Sequence, residues 1–239
     1  MTMLRIIGDV HGQFDHDDLM AGKSTPYLGR IADAPCSVQI GDMGDEETYA
    51  RLVAEVDSDR HRFFAGNHDH YDHLPPHSLG DFGASTLGGV EFFFVRGAAS
   101  TDREKLVRVG KEMGRTLWYP QEELTGDQMA VAEAEYQHAR PRIVLTHDAP
   151  TEIARFALHH ARRLGRPNPN ARFEPSRTNV FLAGLLERHA PKVWLFGHHH
   201  RDWQHREADT LFLCVGELSC VDIDSEGAVR ADPNGFSPT

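Results

Sequence analysis

The pattern that decides the fold begins at Leu4 to His11 (LRIIGDVH), where a short apolar run ends in a glycine, an acid and a histidine. Short apolar runs that end in polar, turn-forming residues return at Ser37 to Asp42, Phe63 to Asp69, Ile143 to Asp148 and Val193 to His200. Short apolar runs that are rich in β-branched or aromatic residues and stop at turn formers are typical of buried strands. We therefore predict five buried strands, each followed by a polar turn.

The segments between these strands have the spacing of helices or of further strands. Apolar residues recur at helical intervals over 46–56, 121–139 and 178–189. Further apolar runs predict strands in hairpin-like succession at 91–95, 210–215 and 217–223. A segment rich in Pro, Asn and Arg at 164–177 predicts a loop. Because no repeat of fixed period is present, we expect one α/β domain over residues 1–239.

The composition restricts the classes of protein that the chain can belong to. Its 239 residues include 25 Lys and Arg against 36 Asp and Glu, a formal net charge of −11, which argues against non-specific binding of nucleic acid or anionic membrane. Three cysteines without CxxC spacing, no leader and no long apolar segment predict a cytoplasmic protein that does not cross a membrane. The 16 histidines, together with the acids, suggest a metal-binding protein.

Polar side chains follow all five predicted strands, and in open α/β folds such strand ends converge on one rim of a sheet. Asp9 and His11 are two residues apart, so in an extended chain both side chains face the same side. The same spacing makes His198 and His200 face the site and turns His199 away. This reasoning predicts seven metal ligands: Asp9, His11, Asp42, Asn67, His147, His198 and His200.

Seven protein ligands are too many for one catalytic metal, because such a metal keeps positions open for water and substrate. They fit two metals that share one carboxylate. The set contains nitrogen and oxygen donors but no cysteine, which suits Mn²⁺, Fe or Zn²⁺. Two ions about 3.5–4 Å apart clamp the attacking and leaving oxygens of a phosphoryl displacement. His68, beside Asn67 and followed by Asp69, is a candidate general acid oriented by a carboxylate.

The five motifs, in this order, resemble those of the calcineurin-like metallophosphoesterases. They are Asp9-x-His11, Gly41-Asp42, Gly66-Asn67-His68-Asp69, Thr146-His147 and Gly197-His198-x-His200. The resemblance implies an α/β fold of four layers, in which a two-sheet β-sandwich is flanked by helices. It also implies a dinuclear metal centre, for which Mn²⁺ is the ion we expect and Fe, Zn²⁺ and Ni²⁺ are alternatives.

The resemblance assigns roles to these residues and implies a reaction. Asp9, His11, Asp42 and His200 would hold one metal, and Asp42, Asn67, His147 and His198 the other, with Asp42 bridging. His68 and Asp69 match the family's catalytic pair, with His68 as the general acid. The implied reaction is hydrolysis of a phosphomonoester or phosphodiester by a hydroxide that bridges the metals. We expect a nucleotide or another small phosphoester as substrate, and no stable binding of nucleic acid.

Departures from the family pattern separate this chain from one branch. Gly8 to Phe14 resembles the opening of the phosphoprotein phosphatases, which continue with GDxVDRG and RGNHE. Here Gly41 to Glu47 reads GDMGDEE and Ala65 to Asp69 reads AGNHD, so the arginines of both motifs are missing. Asp45 occupies the place of the second acid of GDxxD, where we expect a structural role. Gly97 to Arg103 loosely resembles a loop of bacterial and phage members.

Three other functions stay open at this point. A protein serine/threonine phosphatase is disfavoured by the missing arginines. A DNA or RNA nuclease of the same superfamily would need a basic groove, for which the sequence offers only 151–177, with six arginines against two glutamates. This segment is either a basic flap that meets the substrate or a solvated helix face with a loop, and we weigh the two equally. A non-enzymatic scaffold is disfavoured because every ligand is present.

Overall fold

The computed structural model describes residues 3–163 and 173–231, and for 159–163 and 231 it describes the backbone alone. The strands are β1 Met3–Ile7, β2 Ser37–Gln39, β3 His61–Phe63, β4 Phe82–Leu87, β5 Val90–Val95, β6 Ile143–Thr146, β7 Val193–Phe196, β8 Trp203–Glu207, β9 Thr210–Cys214, β10 Cys220–Asp224 and β11 Val229–Ala231. The helices are α1 Tyr27–Ile31, α2 Glu46–Glu55, α3 Arg103–Met113, α4 Gly126–Ala139, α5 Thr151–Arg163 and α6 Arg177–Arg188. Short 3-10 turns lie at His16–Asp18, Tyr71–His73 and Pro120–Glu122.

The first sheet has the strand order β11-β10-β1-β2-β3. Strands β1, β2 and β3 run parallel, and β10 pairs with β1 in the antiparallel direction. In this register Ile6 lies opposite Val38 of β2 and Val221 of β10. Because the three parallel strands end at the same edge, the turns that follow β1, β2 and β3 lie side by side.

The second sheet has the strand order β4-β5-β6-β7-β9-β8. Its central strands β5, β6, β7 and β9 are parallel, and the edge strands β4 and β8 pair antiparallel with β5 and β9. Strands β6 and β7 therefore end together at one edge, where Thr146 pairs with Phe196.

Three clusters of buried apolar side chains hold the four layers together. The cluster between the sheets includes Leu4, Ile6, Val38, Phe94, Leu145 and Leu195. A second cluster joins the outer face of the second sheet to α4, α5 and α6 through Tyr136, Ile153, Leu182, Trp194 and Phe212. The third joins the outer face of the first sheet to α1 and α2 through Ile7, Tyr27, Leu52 and Phe63. The predicted α/β fold, a two-sheet sandwich flanked by helices, is thereby confirmed.

The local predictions are confirmed more often than the long-range ones. The five motif strands are β1, β2, β3, β6 and β7, and the predicted helices are α2, α4 and α6. The hairpin expected at 210–223 is wrong, because β9 belongs to the second sheet and β10 to the first. The expectation that all five strand ends share one sheet is also wrong. Three end in the first sheet and two in the second, so the polar turns meet across the sandwich.

The segment 151–177 begins as a helix that packs into the core. Helix α5 buries Ile153, Ala154 and Ala157 against the second sheet. Arg155 pairs with Glu152 at 3.0 Å, and Arg177 pairs with Glu123 at 3.8 Å. Residues 164–172, including Arg166 and Arg172, lie outside the described residues, as do the side chains of Arg162 and Arg163. The described ranges contain no helix with the length and apolar character needed to cross a membrane.

Candidate metal centre

The seven predicted ligands come together where five strands of the two sheets end. Strands β1, β2 and β3 are followed by Asp9 and His11, by Asp42 and by Asn67, and β6 and β7 by His147 and by His198 and His200. The closest donor atoms of neighbouring ligands lie 2.9–3.7 Å apart. The structure therefore places all seven in one cluster at the edge of the sandwich.

One half of this cluster surrounds the outer oxygens of two buried aspartates. Nε2 of His200 lies 3.1 Å from Asp9 Oδ2 and 3.1 Å from His11 Nε2. Nε2 of His11 lies 3.7 Å from Asp42 Oδ2. One donor atom from each of these four residues lies within 4.8 Å of the others, a spacing that could hold a metal ion. Asp9 and Asp42 are fully buried, whereas His11 is partly exposed and His200 exposed.

The other half of the cluster is built around the side-chain oxygen of Asn67. Asn67 Oδ1 lies 3.1 Å from His147 Nε2 and 2.9 Å from His198 Nδ1. His147 Nε2 lies 3.3 Å from Asp42 Oδ1, and its Nδ1 donates to the carbonyl of Ile40 at 2.9 Å. That hydrogen bond leaves Nε2 directed at the oxygens. Two ligand atoms that each bind the same ion at about 2.0–2.2 Å lie about 3.0–3.5 Å from one another. The distances between the donor atoms in this half of the cluster are similar.

Two buried oxygens show that the residues fit a cation. Asp9 Oδ2 and Asp42 Oδ2 accept no hydrogen bond within the described part of the chain, although both are buried. The 3.1 Å approach of His200 to Asp9 Oδ2 is an ion-pair distance without hydrogen-bond geometry. A buried carboxylate oxygen without a partner is costly unless a cation compensates it. Both oxygens lie in the half-cluster of Asp9, His11, Asp42 and His200, which therefore suits a divalent ion.

The second oxygens of the two aspartates are used to hold the turns. Asp9 Oδ1 accepts a hydrogen bond from the backbone N–H of His198 at 3.0 Å. Asp42 Oδ1 accepts one from the backbone N–H of His68 at 2.8 Å. Each carboxylate thus ties its own turn to a turn of another strand. The ligand groups are fixed in position by the same side chains that would bind the ion.

The backbone at the cluster is strained. The prediction that Asp9 and His11, and likewise His198 and His200, lie in extended chain is therefore wrong. Strands β1 and β7 end at Ile7 and Phe196, before the ligands begin. His11, Asp42, His198 and His200 have left-handed φ angles of 50°, 59°, 64° and 52°. Side chains therefore do not alternate as in a strand, although Asp9 and His11, like His198 and His200, still reach the cluster. Each such residue costs about 1–3 kcal/mol, and strain of this kind concentrates at functional sites.

Charge and burial set the protonation of these groups. Burial alone would raise the pKa of both aspartates, but the imidazoles of His200 and His147 hold the pKa of Asp9 below its usual value, and His147 and His11 hold that of Asp42 well below it. Burial would lower the pKa of His147, yet the charge of Asp42 raises it to about 10. Burial lowers the pKa of His198 to about 4, which keeps it in the neutral form that binds metals.

Gly66 is required because the donor atoms of two other motifs occupy the space beside it. A Cβ atom at Gly66 would lie 2.2 Å from Asp42 Oδ1 and 2.6 Å from His147 Nε2. Neither side chain has room to move, because both are fully buried. The glycine of this motif therefore leaves room for the predicted ligands of the neighbouring strands.

We expect Gly66→Ala to lower metal affinity at least about tenfold, because the added methyl group displaces two of the predicted ligands, and losing even a group that only orients a ligand typically costs 10–100-fold in affinity. Isothermal titration with Mn²⁺ measures the effect. Gly126→Ala is the matched control, since a Cβ there meets nothing within 4 Å. Unchanged Mn²⁺ binding by a folded Gly66→Ala variant would show that the close packing around Gly66 does not position the ligands.

The predicted catalytic pair, His68 and Asp69, is split between surface and interior. His68 is exposed, and its ring centroid lies 5.6 Å from that of His11. Asp69 is buried, and its Oδ2 accepts the backbone N–H groups of Asp42 at 2.8 Å and Gly66 at 2.7 Å. Its Oδ1 accepts the N–H of Gly44 and the hydroxyl of Tyr49, both at 3.0 Å. Asp69 thus binds together the turns that carry Asp42 and Asn67.

Asp45 and His199 also have definite surroundings. Asp45 is the N-cap of α2, where Oδ1 accepts the N–H and the hydroxyl of Thr48 at 3.2 Å. This is the structural role expected for it. His199 lies beside Asp148, with its Nε2 3.6 Å from Asp148 Oδ1, and its ring is edge-on to that of Phe196.

Two residues at the centre were not predicted as part of it, Ser100 and Glu122. Ser100 Oγ accepts a hydrogen bond from Asn67 Nδ2 at 3.1 Å and donates one to Glu122 Oε2 at 2.6 Å. Ser100 lies in the loop of residues 97–103, whose loose family resemblance was the one signal that could have drawn attention to it. Glu122 has no motif around it, and its place emerges only from tertiary contact.

A cavity of about 860 Å³ opens beside the cluster. Asn67, His68, Ser100 and His198 contribute to its lining. The lining also includes apolar side chains, those of Ala154 and Leu158 of α5 and of Phe173. Its described charged lining consists of acids and histidines, with no Lys or Arg; the acids are Asp102, Asp148 and Glu174. A molecule in this cavity would contact both the exposed His68 and the edge of the metal centre.

Comparison with known proteins gives one family match and several similar folds. A family model described as calcineurin-like phosphoesterase matches residues 4–202. No curated protein matches the chain. Among solved structures, the phosphopantetheinyl hydrolase of Mycobacterium tuberculosis is similar over 99% of this chain and 98% of its own, at 14% identity and a TM-score of 0.49.

Two further solved structures have the same kind of similarity. Vps29 of Chaetomium thermophilum is 15% identical, with 99% of this chain and 90% of that chain covered and a TM-score of 0.40. A Thermotoga maritima protein is 17% identical, with 99% and 100% covered and a TM-score of 0.41.

Proposed function

The chain belongs to the calcineurin-like phosphoesterase family, and from that premise we propose that it hydrolyses phosphomonoesters or phosphodiesters with two divalent metal ions and a histidine general acid. We assign Asp9, His11, Asp42 and His200 to one ion. Asp42, Asn67, His147 and His198 are assigned to the other. The observation that carries the proposal is the position of Asp42.

Asp42 lies between two sets of ligands and presents one oxygen to each. Its Oδ1 is 3.3 Å from His147 Nε2, and its Oδ2 is 3.7 Å from His11 Nε2. A carboxylate that binds a single ion has no need of imidazoles on both sides. Full burial and the lowered pKa keep the group ionised, so it can hold two cations close together. This position supports the bridging role of Asp42.

The protein's own residues provide the remaining requirements of phosphoester hydrolysis. When bound, two divalent ions supply charge stabilisation for the phosphoryl oxygens and activate water; the nitrogen and oxygen donors suit Mn²⁺, with Fe, Zn²⁺ and Ni²⁺ as alternatives. His68 is exposed beside the cluster, where its imidazole can donate a proton to the leaving oxygen. Asp69 acts as a positioning residue, since it holds the backbone on both sides of the centre.

The cavity beside the centre supports a small phosphoester as substrate. Its volume of about 860 Å³ lies within the range of small-molecule sites. The apolar side chains of Leu158 and Phe173 in its lining suit an organic leaving group such as a nucleoside. A nuclease needs a basic surface that follows the phosphate backbone, and the described lining of this cavity is acidic instead. These features favour a nucleotide or a similar small ester over DNA, RNA or a phosphoprotein.

We expect the chelated protein to gain activity with Mn²⁺ on small phosphoesters and little activity on a phosphopeptide or single-stranded DNA. The measurement is phosphate or product release from a phosphomonoester, a phosphodiester, a cyclic nucleotide, the phosphopeptide and the DNA, each with and without EDTA. The Asp42→Asn variant, prepared identically, controls for a contaminating phosphatase. A wild-type protein that binds Mn²⁺ yet is inactive on every substrate would contradict the proposal and favour a scaffold.

A further inference from the structure

The side chain of Asn67 has a problem of orientation that most ligands do not have. Its amide presents an oxygen on one side and an NH₂ group on the other, and the two ends have nearly the same shape. Oδ1 faces His147 and His198, whereas Nδ2 faces Ser100. A rotation of the amide by half a turn would direct two N–H donors at the metal position and abolish ligation. Something in the structure must favour the first orientation.

Glu122 and Ser100 form a hydrogen-bond chain with a fixed direction. As a carboxylate, Glu122 can only accept hydrogen bonds. Oε2 receives the hydroxyl of Ser100 at 2.6 Å, and Oε1 receives the backbone N–H of Ser100 at 3.1 Å. The only proton of the hydroxyl is therefore committed to Glu122. Toward Asn67, Ser100 Oγ can only accept, so it pairs with Nδ2 and leaves Oδ1 for the centre.

The loop that carries Ser100 is held firmly against both of its partners. The N–H of Gly97 donates to the carbonyl of Ala65 at 2.9 Å, next to the turn of Asn67. The guanidinium of Arg96 donates to the carbonyl of Gln121 at 2.5 Å, next to Glu122. A Cβ at Gly97, whose φ is +86°, would lie 2.0 Å from the carbonyl oxygen of Glu122. Ser100 is thus held between the two groups that it connects.

Burial makes the orientation of Asn67 depend on the hydrogen bonds from Glu122 through Ser100. Asn67 is 2% exposed and Glu122 is 5% exposed, so water cannot easily replace a missing partner. We propose that Glu122 and Ser100 are positioning residues for the metal centre, which fix the amide of Asn67 so that its oxygen faces the second ion. This inference rests on the proposed dinuclear centre and concerns residues that lie outside the five motifs.

Glu122→Gln tests the direction of these hydrogen bonds, because it changes the acceptor at residue 122 and keeps the size of the side chain. The N–H and the hydroxyl of Ser100 meet different oxygens of Glu122, and a glutamine has an oxygen at only one of these two positions. When its NH₂ group faces the hydroxyl, Ser100 must donate toward Asn67 and the reversed amide is favoured. We expect Glu122→Gln to weaken one of the two Mn²⁺ affinities by about 10–100-fold and to leave the other within a few-fold.

The experiment is a calorimetric titration of the chelated protein with Mn²⁺, accompanied by thermal unfolding in EDTA. Ser100→Ala removes the acceptor and should resemble Glu122→Gln, while Ser100→Thr keeps the hydroxyl and should bind Mn²⁺ within a few-fold of wild type. In an Asn67→Asp background the carboxylate has two equivalent oxygens. There Glu122→Gln should cause no further loss, because no amide orientation remains to be fixed.

Two results would overturn the inference while the proposed function stands. One is wild-type affinity at both sites in Glu122→Gln. The other is an equal loss from Glu122→Gln with Asn67 present and in the Asn67→Asp background, which a purely structural role would give. A wild-type chain that binds no Mn²⁺ would defeat the proposed metal centre and this inference with it. The wild-type titration therefore separates the two failures.

Discussion

Asp42→Asn will lower phosphoester hydrolysis by about a thousandfold or more and weaken the binding of both metal ions. The substitution removes a negative charge that lies between His147 and His11. Divalent ions contribute several kcal/mol to a phosphoryl transition state, and about 4 kcal/mol corresponds to a factor of about 10³ in rate. Loss of a ligand that served only one ion would leave the second ion in place. Weakening of both ions is therefore the distinguishing result.

The measurements are kcat/KM with Mn²⁺ and the number of Mn²⁺ ions retained after gel filtration. Asp224→Asn is the matched control, because Asp224 is also buried and accepts hydrogen bonds from the backbone N–H groups of Glu226 and Ala228. Asp224 lies at the end of β10 that is distant from the cluster. We expect that variant to keep the activity of wild type. If Asp42→Asn retained two tightly bound ions, Asp42 would not be the shared ligand, and the two half-clusters would have to be independent sites.

The sequence predicts those parts of the fold that are determined by neighbouring residues. The apolar runs at Leu4 to Ile7 and Val193 to Phe196 are buried on both faces, and continuous burial leaves a strong signal. Strand β8 (WQHRE) buries only Trp203 and therefore has no such pattern. The passage from β9 to β10 looks locally like a hairpin, but the chain changes sheets there. Which sheet a strand joins depends on distant packing.

The candidate site shows the same division between local and distant information. Motif spacing identified seven side chains that the structure brings together, because strand ends concentrate polar turns at one edge. The extended-chain explanation for Asp9 and His11 is wrong, since a left-handed residue at His11 replaces the expected extended chain. Ser100 and Glu122 are 33 and 55 residues from Asn67 and belong to no shared pattern. Hydrogen bonds that orient a ligand can thus connect residues that no local spacing relates.

The exposed position of His68 leads to a prediction that separates its chemistry from a structural effect. A general acid matters most when the leaving oxygen is strongly basic, as in an alkyl or nucleoside ester. A nitrophenolate leaves almost without protonation. We therefore expect His68→Ala to lower hydrolysis of a nucleoside ester by about 10²–10⁴-fold and that of a nitrophenyl ester far less. The quantity to compare is the ratio of the two kcat/KM values, measured with Mn²⁺ at the same protein concentration.

The control for this test is His73→Ala, which removes another exposed imidazole five residues along the chain. It should leave both rates, and hence their ratio, as in wild type. An effect of His68→Ala on metal binding would lower both rates together, because both esters use the same centre. Equal losses on the two esters would therefore exclude His68 as the proton donor. A loss confined to the ester with the basic leaving group would support His68 as the proton donor. Among the described residues that line the cavity, His68 is the exposed histidine that belongs to neither half-cluster, and its ring lies beside that of His11.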